Sequence, residues 1–395
     1  MPQKLKNIYH LGRAILACVL YGLPAKNLKV IGVTGTDGKT TTVSLIYHIL
    51  RIAGKKVARV TTVDSEIDGK KVAAFLHTTT PDPFNLQRFL RSCLKAGCEY
   101  VVLEVSSHGI DQNRIWGIPF EIGVLTNLAP REHTDYHGSF ETYKRTKMKF
   151  IDSCQKRIIG LAGLTPKEIS YSNAGTRFKL DGLWFRTKLL GEFNLRNCLS
   201  AVAVARALGF DDKVTSSAIA AFSPPAGRME VVTTKPFTVI VDFAHTPQAF
   251  ENVLPATRML LRTRKSRLIH VFGATGDRDK RKRPLMGKIA SQYDDIVILT
   301  HEDTYTEDPA GIISQLEEGL QGLDDYSNKR SAKIDRKFYL KVLDRLEAIK
   351  KALFLAKTGD VVLLTGVGHQ QTMNIGGKEV PWSEQRIVQQ ILNVR

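Results

Sequence analysis

One stretch of the chain constrains its fold most: a glycine-containing loop between an apolar strand and an apolar helix. The strand is predicted at Lys29–Val33, because its residues are mostly β-branched and apolar. The loop Gly35–Thr40 follows, and apolar residues with helical spacing begin at Val43. In such a geometry, backbone N–H groups and the helix N-terminus bind phosphate. The lysine reaches the outer phosphates, and the hydroxyl after it can bind Mg²⁺.

The loop matches the general phosphate-loop pattern G-x-x-x-x-G-K-[S/T] except at Val33, which occupies the position of the first glycine. An ordinary glycine-rich turn is the alternative. We favour phosphate binding because Lys39 and Thr40 follow Gly38 directly and both flanking elements are predicted. The loop alone does not identify the molecule that is phosphorylated or ligated.

Composition narrows the class of protein. A chain of 395 residues suggests two or three domains, and 43% hydrophobic residues suffice for their cores. The net charge of +18 favours anionic partners: nucleotides, phosphorylated substrates, nucleic acid or an anionic membrane surface. No basic cluster is interleaved with stacking aromatic residues, so we expect no nucleic-acid partner. Five cysteines without a C-x-x-C pair indicate a reduced, cytoplasmic protein without a zinc site.

The N-terminal residues could be mistaken for a targeting signal. Basic residues precede the apolar run Ala14–Leu23, which resembles a weak signal peptide. The run is too short to span a bilayer, and the strand of the phosphate loop follows almost at once. We therefore predict an amphipathic helix, a cytoplasmic location and no membrane insertion.

Alternation of predicted strands and helices indicates an α/β fold. We expect a P-loop central domain with a mostly parallel sheet, and a C-terminal Rossmann-like α/β domain. The turn-forming residues Pro224–Gly227 mark the boundary, giving a lead-in at 1–28, an ATP-binding domain at 29–225 and a C-terminal domain at 226–395. C-terminal strands are predicted at Thr238–Phe243, Leu268–Phe272, Ile296–Thr300 and Val361–Thr365.

Polar residues follow several of these strands, where ligands of such sheets bind. Glu104 ends the strand predicted at Tyr100–Val105, a suitable position for a Mg²⁺ ligand. A dense polar cluster at 132–137 follows another strand. In the C-terminal half, Asp242–Pro247 and Gly273–Lys280 are comparable strand ends. These positions suggest a nucleotide held in a cleft between domains.

A series of short motifs extends this interpretation along the chain. In order they are TGTDGKTTT at 34–42, TTP at 79–81, EVSSHG at 104–109 with Arg114, TNLAPREHTDYHG at 126–138 with Tyr143 and Lys147, GEFN at 191–194 with Asn197, GRME at 227–230, DFAHTP at 242–247 and GATGDRDKRKRP at 273–284. Their sequence and order resemble those of the Mur ligase family, most closely its MurE type.

The resemblance implies an ATP-dependent carboxylate–amine ligase that forms ADP. A substrate carboxylate would become an acyl phosphate, which an amino group then attacks. The product would be a muramoyl-peptide-type precursor of the cell wall, extended by one amino acid during peptidoglycan biosynthesis. Such chemistry needs positioning and charge neutralisation rather than a protein nucleophile.

The resemblance also implies roles for individual residues. The catalytic residues would be Lys39, Glu104, Lys147 and Arg228. The ATP-binding residues would be Gly35, Thr36, Asp37, Gly38, Lys39, Thr40, Thr41, Asn194, Asn197, Arg228 and Asp242. The substrate-binding residues would be Thr79, Thr80, Ser106, His108, Arg114, His245, Arg278, Asp303 and His369. Mg²⁺ would be held by Thr40, Glu104, His133 and Lys147, the last as a carbamate. Because Arg228 and Asp242 follow the domain boundary, we expect domain closure onto Lys39.

Departures from the family pattern leave the substrates open. With 34 residues before Gly35, the family's N-terminal UDP-binding domain is expected to be missing, and a partner could supply that site. The family's D-N-P-R motif reads Glu302-Asp303-Thr304-Tyr305, so specificity for diaminopimelate does not transfer. The alternatives are the same chemistry on a non-UDP acceptor (cyanophycin-like peptide or polyglutamate) and a non-catalytic ATP-binding partner subunit. Retention of Lys39, Glu104 and Lys147 argues against the latter.

Overall fold

Two compact units make up the computed structural model. It describes residues 3–72, 79–130, 134–161, 163–172, 174–327 and 337–393. The first unit comprises Met1–Ser170, Gly175–Lys188 and Phe193–Ser223; the second comprises Tyr171–Ala174, Leu189–Glu192 and Pro224–Arg395. Both contain alternating strands and helices around a sheet, which confirms the predicted α/β class.

The first unit is built on a seven-stranded sheet. Its strands are β1 (Lys29–Thr34), β2 (Val57–Val60), β3 (Ser65–Ile67), β4 (Lys70–Val72), β5 (Tyr100–Glu104), β6 (Phe120–Leu125) and β7 (Lys156–Ile159). The spatial order is β4-β3-β2-β5-β1-β6-β7. Five neighbouring strands pair in parallel, in the order β2, β5, β1, β6 and β7, and β3 and β4 add an antiparallel edge. The carboxyl ends of β2, β5, β1 and β6 therefore lie along one edge, as predicted for a mostly parallel sheet.

Eight helices and a small sheet complete the described part of this unit. The helices are α1 (Gln3–Leu20), α2 (Lys39–Ile52), α3 (Pro83–Lys95), α4 (Ser107–Asp111), α5 (Thr134–His137), α6 (Phe140–Asp152), α7 (Glu192–Ala207) and α8 (Asp212–Ala221), with a 3₁₀ turn at Pro24–Asn27. The small sheet has three strands, β8 (Lys167–Ser172), β9 (Gly175–Leu180) and β10 (Leu183–Thr187).

Local sequence explains where the helices begin and how tightly α6 packs. Asp82 caps α3 by accepting a hydrogen bond from the backbone N–H of Phe84 at 3.1 Å, and a proline follows at the first helical position. In β1, a β-carbon at Gly32 would lie 2.5 Å from the ring of Phe150 and 2.7 Å from that of Phe120. Glycine therefore lets α6 approach the centre of the sheet.

The second unit contains another seven-stranded sheet and a hairpin. Its strands are β11 (Glu230–Thr233), β12 (Thr238–Asp242), β13 (Leu268–Phe272), β14 (Ile296–Leu299), β15 (Asp324–Asp325), β16 (Phe338–Lys341), β17 (Val361–Thr365), β18 (Thr372–Ile375) and β19 (Lys378–Pro381). The sheet order is β11-β12-β17-β13-β14-β16-β15, and β18 pairs with β19. Its helices are α9 (Pro247–Arg258), α10 (Lys282–Tyr293), α11 (Pro309–Glu317), α12 (Arg345–Leu355) and α13 (Glu384–Asn393). The predicted strands are present, whereas β11, β15, β16 and the hairpin were not predicted.

A fully buried ion pair joins α12 to α13 in this unit. Arg345 Nε donates to Glu384 Oε1 at 2.8 Å, and Arg345 Nη2 donates to the Thr365 carbonyl oxygen at 2.7 Å. Both side chains are 0% exposed, so each charge depends on its partner for solvation. The pair therefore links both helices to the carboxyl end of β17.

We expect Glu384→Gln to lower the free energy of unfolding by about 3–5 kcal/mol, because it leaves a buried guanidinium without its counter-charge. The matched control is Glu347→Gln, which removes an exposed partner of Lys350 and should change stability by less than about 1 kcal/mol. Urea unfolding followed by circular dichroism measures both. Equal effects of the two substitutions would contradict the assigned role of the buried pair.

Candidate active site

Close backbone packing shapes the loop between β1 and α2. Gly38 precedes α2 with a φ of +79°, and a β-carbon there would lie 2.2 Å from Asn197 Oδ1. At Gly35, which has a φ of +150°, a β-carbon would lie 1.9 Å from Thr126 Oγ1. Both positions therefore need glycine for space as well as for backbone conformation.

Residues after β6 hold this loop from the other side. The Asp37 N–H donates to Asn127 Oδ1 at 2.9 Å, and Asn127 Nδ2 donates to the Asp37 carbonyl oxygen at 3.1 Å. The hydroxyls of Thr36 and Tyr143 are 2.9 Å apart. Lys39 Nζ donates to the carbonyl oxygens of Gly35 and Thr36 at 3.1 and 2.7 Å, so its ammonium lies over the loop.

Glu104, the last residue of β5, joins the ends of neighbouring strands. Its side chain is buried and accepts hydrogen bonds from Thr40 Oγ1 at 2.9 Å, Thr62 N–H at 2.9 Å and Thr62 Oγ1 at 3.1 Å. Thr62 follows β2 and was not predicted as a site residue. The only signal in the sequence was a pair of hydroxyl residues, Thr61 and Thr62, directly after β2.

Lys147 on α6 lies directly beneath the loop. It is 1% exposed, and its Nζ donates to Thr34 Oγ1 at 3.1 Å and to the Gly35 carbonyl oxygen at 2.9 Å. Burial, reinforced by the charge of Lys39, lowers the pKa of Lys147 well below its usual value, and the charges of Asp37 and Glu104 oppose the shift only in part. Lys147 therefore loses its proton to give the neutral amine much more readily than a surface lysine does.

The predicted metal ligands are only partly brought together. Thr40 and Glu104 offer hard oxygen atoms joined by a hydrogen bond, a donor set that suits Mg²⁺. His133 lies outside the described residues. Among the residues that the structure describes, no group of three or more His, Cys, Asp or Glu side chains forms a candidate metal site.

The residues predicted on the acceptor side connect to the same carboxylate. Thr62 Oγ1 lies 3.1 Å from Thr79 Oγ1, and Thr80 Oγ1 donates to the Glu104 carbonyl oxygen at 3.1 Å. Thr80 Oγ1 also lies 3.1 Å from Ser106 Oγ. These contacts make a polar strip that continues from Glu104.

Two further predicted acceptor residues border this strip. Arg114 Nη1 donates to the carbonyl oxygen of Thr80 at 2.7 Å. His108 lies on α4 with its ring centroid 3.9 Å from that of Tyr136. The strip thus has a guanidinium and an imidazole among its neighbours.

The two asparagines predicted to contact adenosine lie on α7 and interact with each other. Asn197 Nδ2 donates to Asn194 Oδ1 at 3.0 Å, and Asn197 Oδ1 accepts a hydrogen bond from Thr42 Oγ1 at 3.3 Å. The second contact connects α7 to α2, the helix on which Thr41 is also buried. Asn197 therefore faces the phosphate loop at Gly38.

In the second unit, several predicted residues gather around Phe243. The guanidinium carbon of Arg228 lies 4.8 Å from the centroid of the Phe243 ring, and the rings of His245 and His369 lie at 4.7 and 4.9 Å. Asp242 ends β12 and accepts hydrogen bonds from the N–H groups of Met229 and Ala244, both at 2.7 Å. The Asp242 carboxylate thus fixes the backbone next to Arg228.

Arg278 and Asp303 lie in the loops that follow β13 and β14, two neighbouring strands of the second unit. Asp303 accepts hydrogen bonds from Gln370 Nε2 at 3.1 Å and from the Asn374 N–H at 2.8 Å. Arg278 lies 5.9 Å from the ring centroid of Tyr305. Glu302 is buried, which raises the pKa of its carboxyl group, and it accepts a hydrogen bond from Thr275 Oγ1 at 2.7 Å. Glu302, Asp303 and Thr304 are thus buried, and Tyr305 is the partly exposed residue of this segment.

No helix in the described ranges is both long enough and apolar enough to cross a membrane.

Comparison with known proteins tests the resemblance inferred from the motifs. The chain matches the Mur ligase middle domain over residues 33–164 and the Mur ligase glutamate ligase domain over residues 227–368. It is 37% identical to the UDP-N-acetylmuramoyl-L-alanyl-D-glutamate–2,6-diaminopimelate ligase of Cytophaga hutchinsonii, over 96% of this chain and 80% of that protein.

Solved structures agree with this result. A structure of a UDP-N-acetylmuramoyl-L-alanyl-D-glutamate–2,6-diaminopimelate ligase is 30% identical, with a TM-score of 0.62 over 93% of this chain and 78% of that chain. The fold is also shared with Mycobacterium tuberculosis folylpolyglutamate synthase, which is 17% identical with a TM-score of 0.70 over 90% of this chain and 92% of that chain. The chain therefore belongs to the Mur ligase family, a family of ligases, as its motifs predict.

Proposed function

We propose that this protein is an ATP-dependent amino-acid ligase that extends a muramoyl-peptide-type precursor of the cell wall through an acyl-phosphate intermediate. The central observation is the buried carboxylate of Glu104, hydrogen-bonded to Thr40 next to the phosphate loop. Identity of 37% to a ligase of a muramoyl peptide and diaminopimelate supports the substrate class. Because the chemistry uses ATP, we propose that the enzyme acts in the cytoplasm.

The reaction proceeds in two steps. An oxygen of the acceptor carboxylate attacks the γ-phosphorus of ATP, the bond to the β-phosphate oxygen breaks, and ADP leaves. The amine of the incoming amino acid then attacks the carbonyl carbon of the acyl phosphate. After the amine loses a proton, the amide forms and inorganic phosphate leaves. Catalysis requires in-line positioning and neutralisation of phosphate charge, which the loop N–H groups and Lys39 can provide.

Thr40 and Glu104 would hold Mg²⁺, since hydroxyl and carboxylate oxygens are its preferred protein ligands. When bound, the ion would offset the negative charge of the phosphate oxygens. Thr62 positions Glu104 through two hydrogen bonds and so helps to present its carboxylate toward the loop. Arg228, Asp242 and the asparagines of α7 keep their predicted roles in binding ATP.

We infer that Lys147 reacts with CO₂. Carbamate formation requires a neutral amine, and burial, which lowers the pKa of Lys147 well below its usual value, favours that form. The amine nitrogen bonds to the carbon of CO₂, one proton is released, and the side chain becomes an anion. This change would replace a buried amine by a second carboxylate-like ligand near Glu104.

We propose that the added amino acid differs from the one that a strict diaminopimelate ligase adds. Tyr305 stands where the family motif has arginine, and Asp303 replaces its asparagine. A tyrosine cannot form the bidentate pair that arginine makes with a carboxylate. We therefore propose that recognition of the distal carboxylate of diaminopimelate is weakened.

We expect ADP release only when an acceptor and an amino acid are both present, because ATP is consumed in making an intermediate that the amine must resolve. The measurement is coupled ADP detection across muramoyl peptides with and without UDP, each combined with a panel of amino acids that includes diaminopimelate. The absence of acceptor-dependent ADP release across the whole panel would contradict the proposal. Activity only with UDP-free acceptors would indicate that the enzyme performs the same chemistry on another class of acceptor.

We expect Lys147→Ala to reduce turnover about 100- to 1,000-fold, the usual effect of removing one preorganised electrostatic group. Added bicarbonate should not restore this variant, whereas it should stimulate wild-type protein that has been depleted of CO₂. The matched control is Lys144→Ala on the exposed side of the same helix, which should retain activity. Full activity of Lys147→Ala would exclude the residue from the reaction.

A further inference from the structure

The N-terminal helix α1 has two apolar faces, and only one of them is packed. On the packed face, Ala14, Ala17 and Cys18 are fully buried, and the helix contacts α3. Cys18 Sγ also donates to the Trp116 carbonyl oxygen at 3.3 Å. These contacts fix the orientation of α1 on the first unit and thereby determine which side chains face outward.

The opposite face exposes six large apolar side chains in helical register. Their exposed fractions are 39–68%, and they are Ile8, Tyr9, Ile15, Leu16, Val19 and Leu20. Spacings of three, four and seven residues place them along one continuous stripe. A contiguous apolar stripe of this length is unusual on a protein surface and indicates a binding face.

Charge around the stripe indicates what it binds. Helix α1 contains Lys4, Lys6 and Arg13 and no acidic residue. Its neighbour α3 adds three exposed basic residues and has no acidic residue within the helix; the basic residues are Arg88, Arg91 and Lys95. The surroundings of α1 are therefore strongly positive.

The acidic groups near α1 are already engaged. Asp82 lies 3.9 Å from Arg13, and Asp111 accepts hydrogen bonds from Tyr136 at 2.8 Å and from Asn7 at 3.5 Å. A second copy of this chain would bring the same basic helices α1 and α3 to the interface, so repulsion between like charges opposes that pairing. An anionic lipid surface complements both the apolar stripe and its basic neighbours.

We propose that α1 is a membrane-surface helix, which places its apolar stripe at the interface of an anionic lipid bilayer and lies parallel to it. The 18-residue helix is about 27 Å long at about 1.5 Å per residue. Its outer residues enter the boundary between headgroups and acyl chains, while the packed face keeps the first unit above the surface. This inference goes beyond the proposed function and does not depend on it.

The test is flotation of the full chain with vesicles of phosphatidylcholine alone or mixed with phosphatidylglycerol. Wild-type protein should bind the phosphatidylglycerol vesicles at low salt and dissociate as salt increases. The double variant Leu16→Ser/Val19→Ser should bind at least about tenfold more weakly, because it removes apolar contacts from the centre of the stripe. The control Phe354→Ser removes a 73% exposed side chain from α12 and should bind like wild type.

Three results would overturn the proposal: no binding by wild-type protein, equal binding to uncharged vesicles, or undiminished binding by the double variant. A dimer that the same double substitution dissociates, without vesicle binding, would instead assign the stripe to a second copy. Circular dichroism and ADP release should be unchanged in the double variant. If that variant misfolds, Ile8→Ser/Ile15→Ser tests the same stripe at different positions.

Discussion

The hydrogen bonds of the Glu104 carboxylate are the interaction on which the candidate site most depends. One anionic group, almost completely buried, joins the end of β5 to Thr40 at the start of α2 and to Thr62 after β2. A buried carboxylate is tolerated only when hydrogen bonds or cations replace its hydration. Here one hydrogen bond comes from Thr40 at the end of the phosphate loop and two come from Thr62 after β2. The same hydrogen bonds therefore solvate the charge and hold the carboxylate in place.

Lys147 is the counterpart of Glu104 on the other side of the loop. Its amine is held by a hydroxyl and a backbone carbonyl, without a carboxylate in direct hydrogen-bond contact among the described residues. A buried lysine in such surroundings favours its neutral form. The site thus combines an anion that can attract a cation with an amine that can react as a nucleophile. The resemblance implied a carbamate at Lys147, and burial beneath Gly35 is a physical reason for a neutral amine there.

How much of the structure could be predicted depends on whether an element is determined by its own sequence or by contacts with residues elsewhere in the chain. Strands such as β1, β5 and β17 are continuous apolar runs, so their sequence alone identifies them. The short polar strand β15 is defined by its pairing with β16, which local sequence does not signal. The β18–β19 hairpin does have a local signal, the turn at Gly376-Gly377, which the prediction missed. Likewise, the motifs identified Glu104 and Thr40, whereas Thr62 became a site residue only because β2 ends next to β5. The contact of Asp303 with Asn374 is non-local in the same way.

The central claim is that the loop, Thr40 and Glu104 present ATP to a carboxylate of the acceptor. The most direct measurement follows the oxygen atoms of that carboxylate. An acceptor labelled with oxygen-18 in its reacting carboxyl group is turned over with ATP and amino acid, and the released phosphate is analysed by mass spectrometry. An acyl-phosphate route transfers one labelled oxygen to phosphate for each amide formed. Unlabelled phosphate accompanied by amide formation would contradict the account.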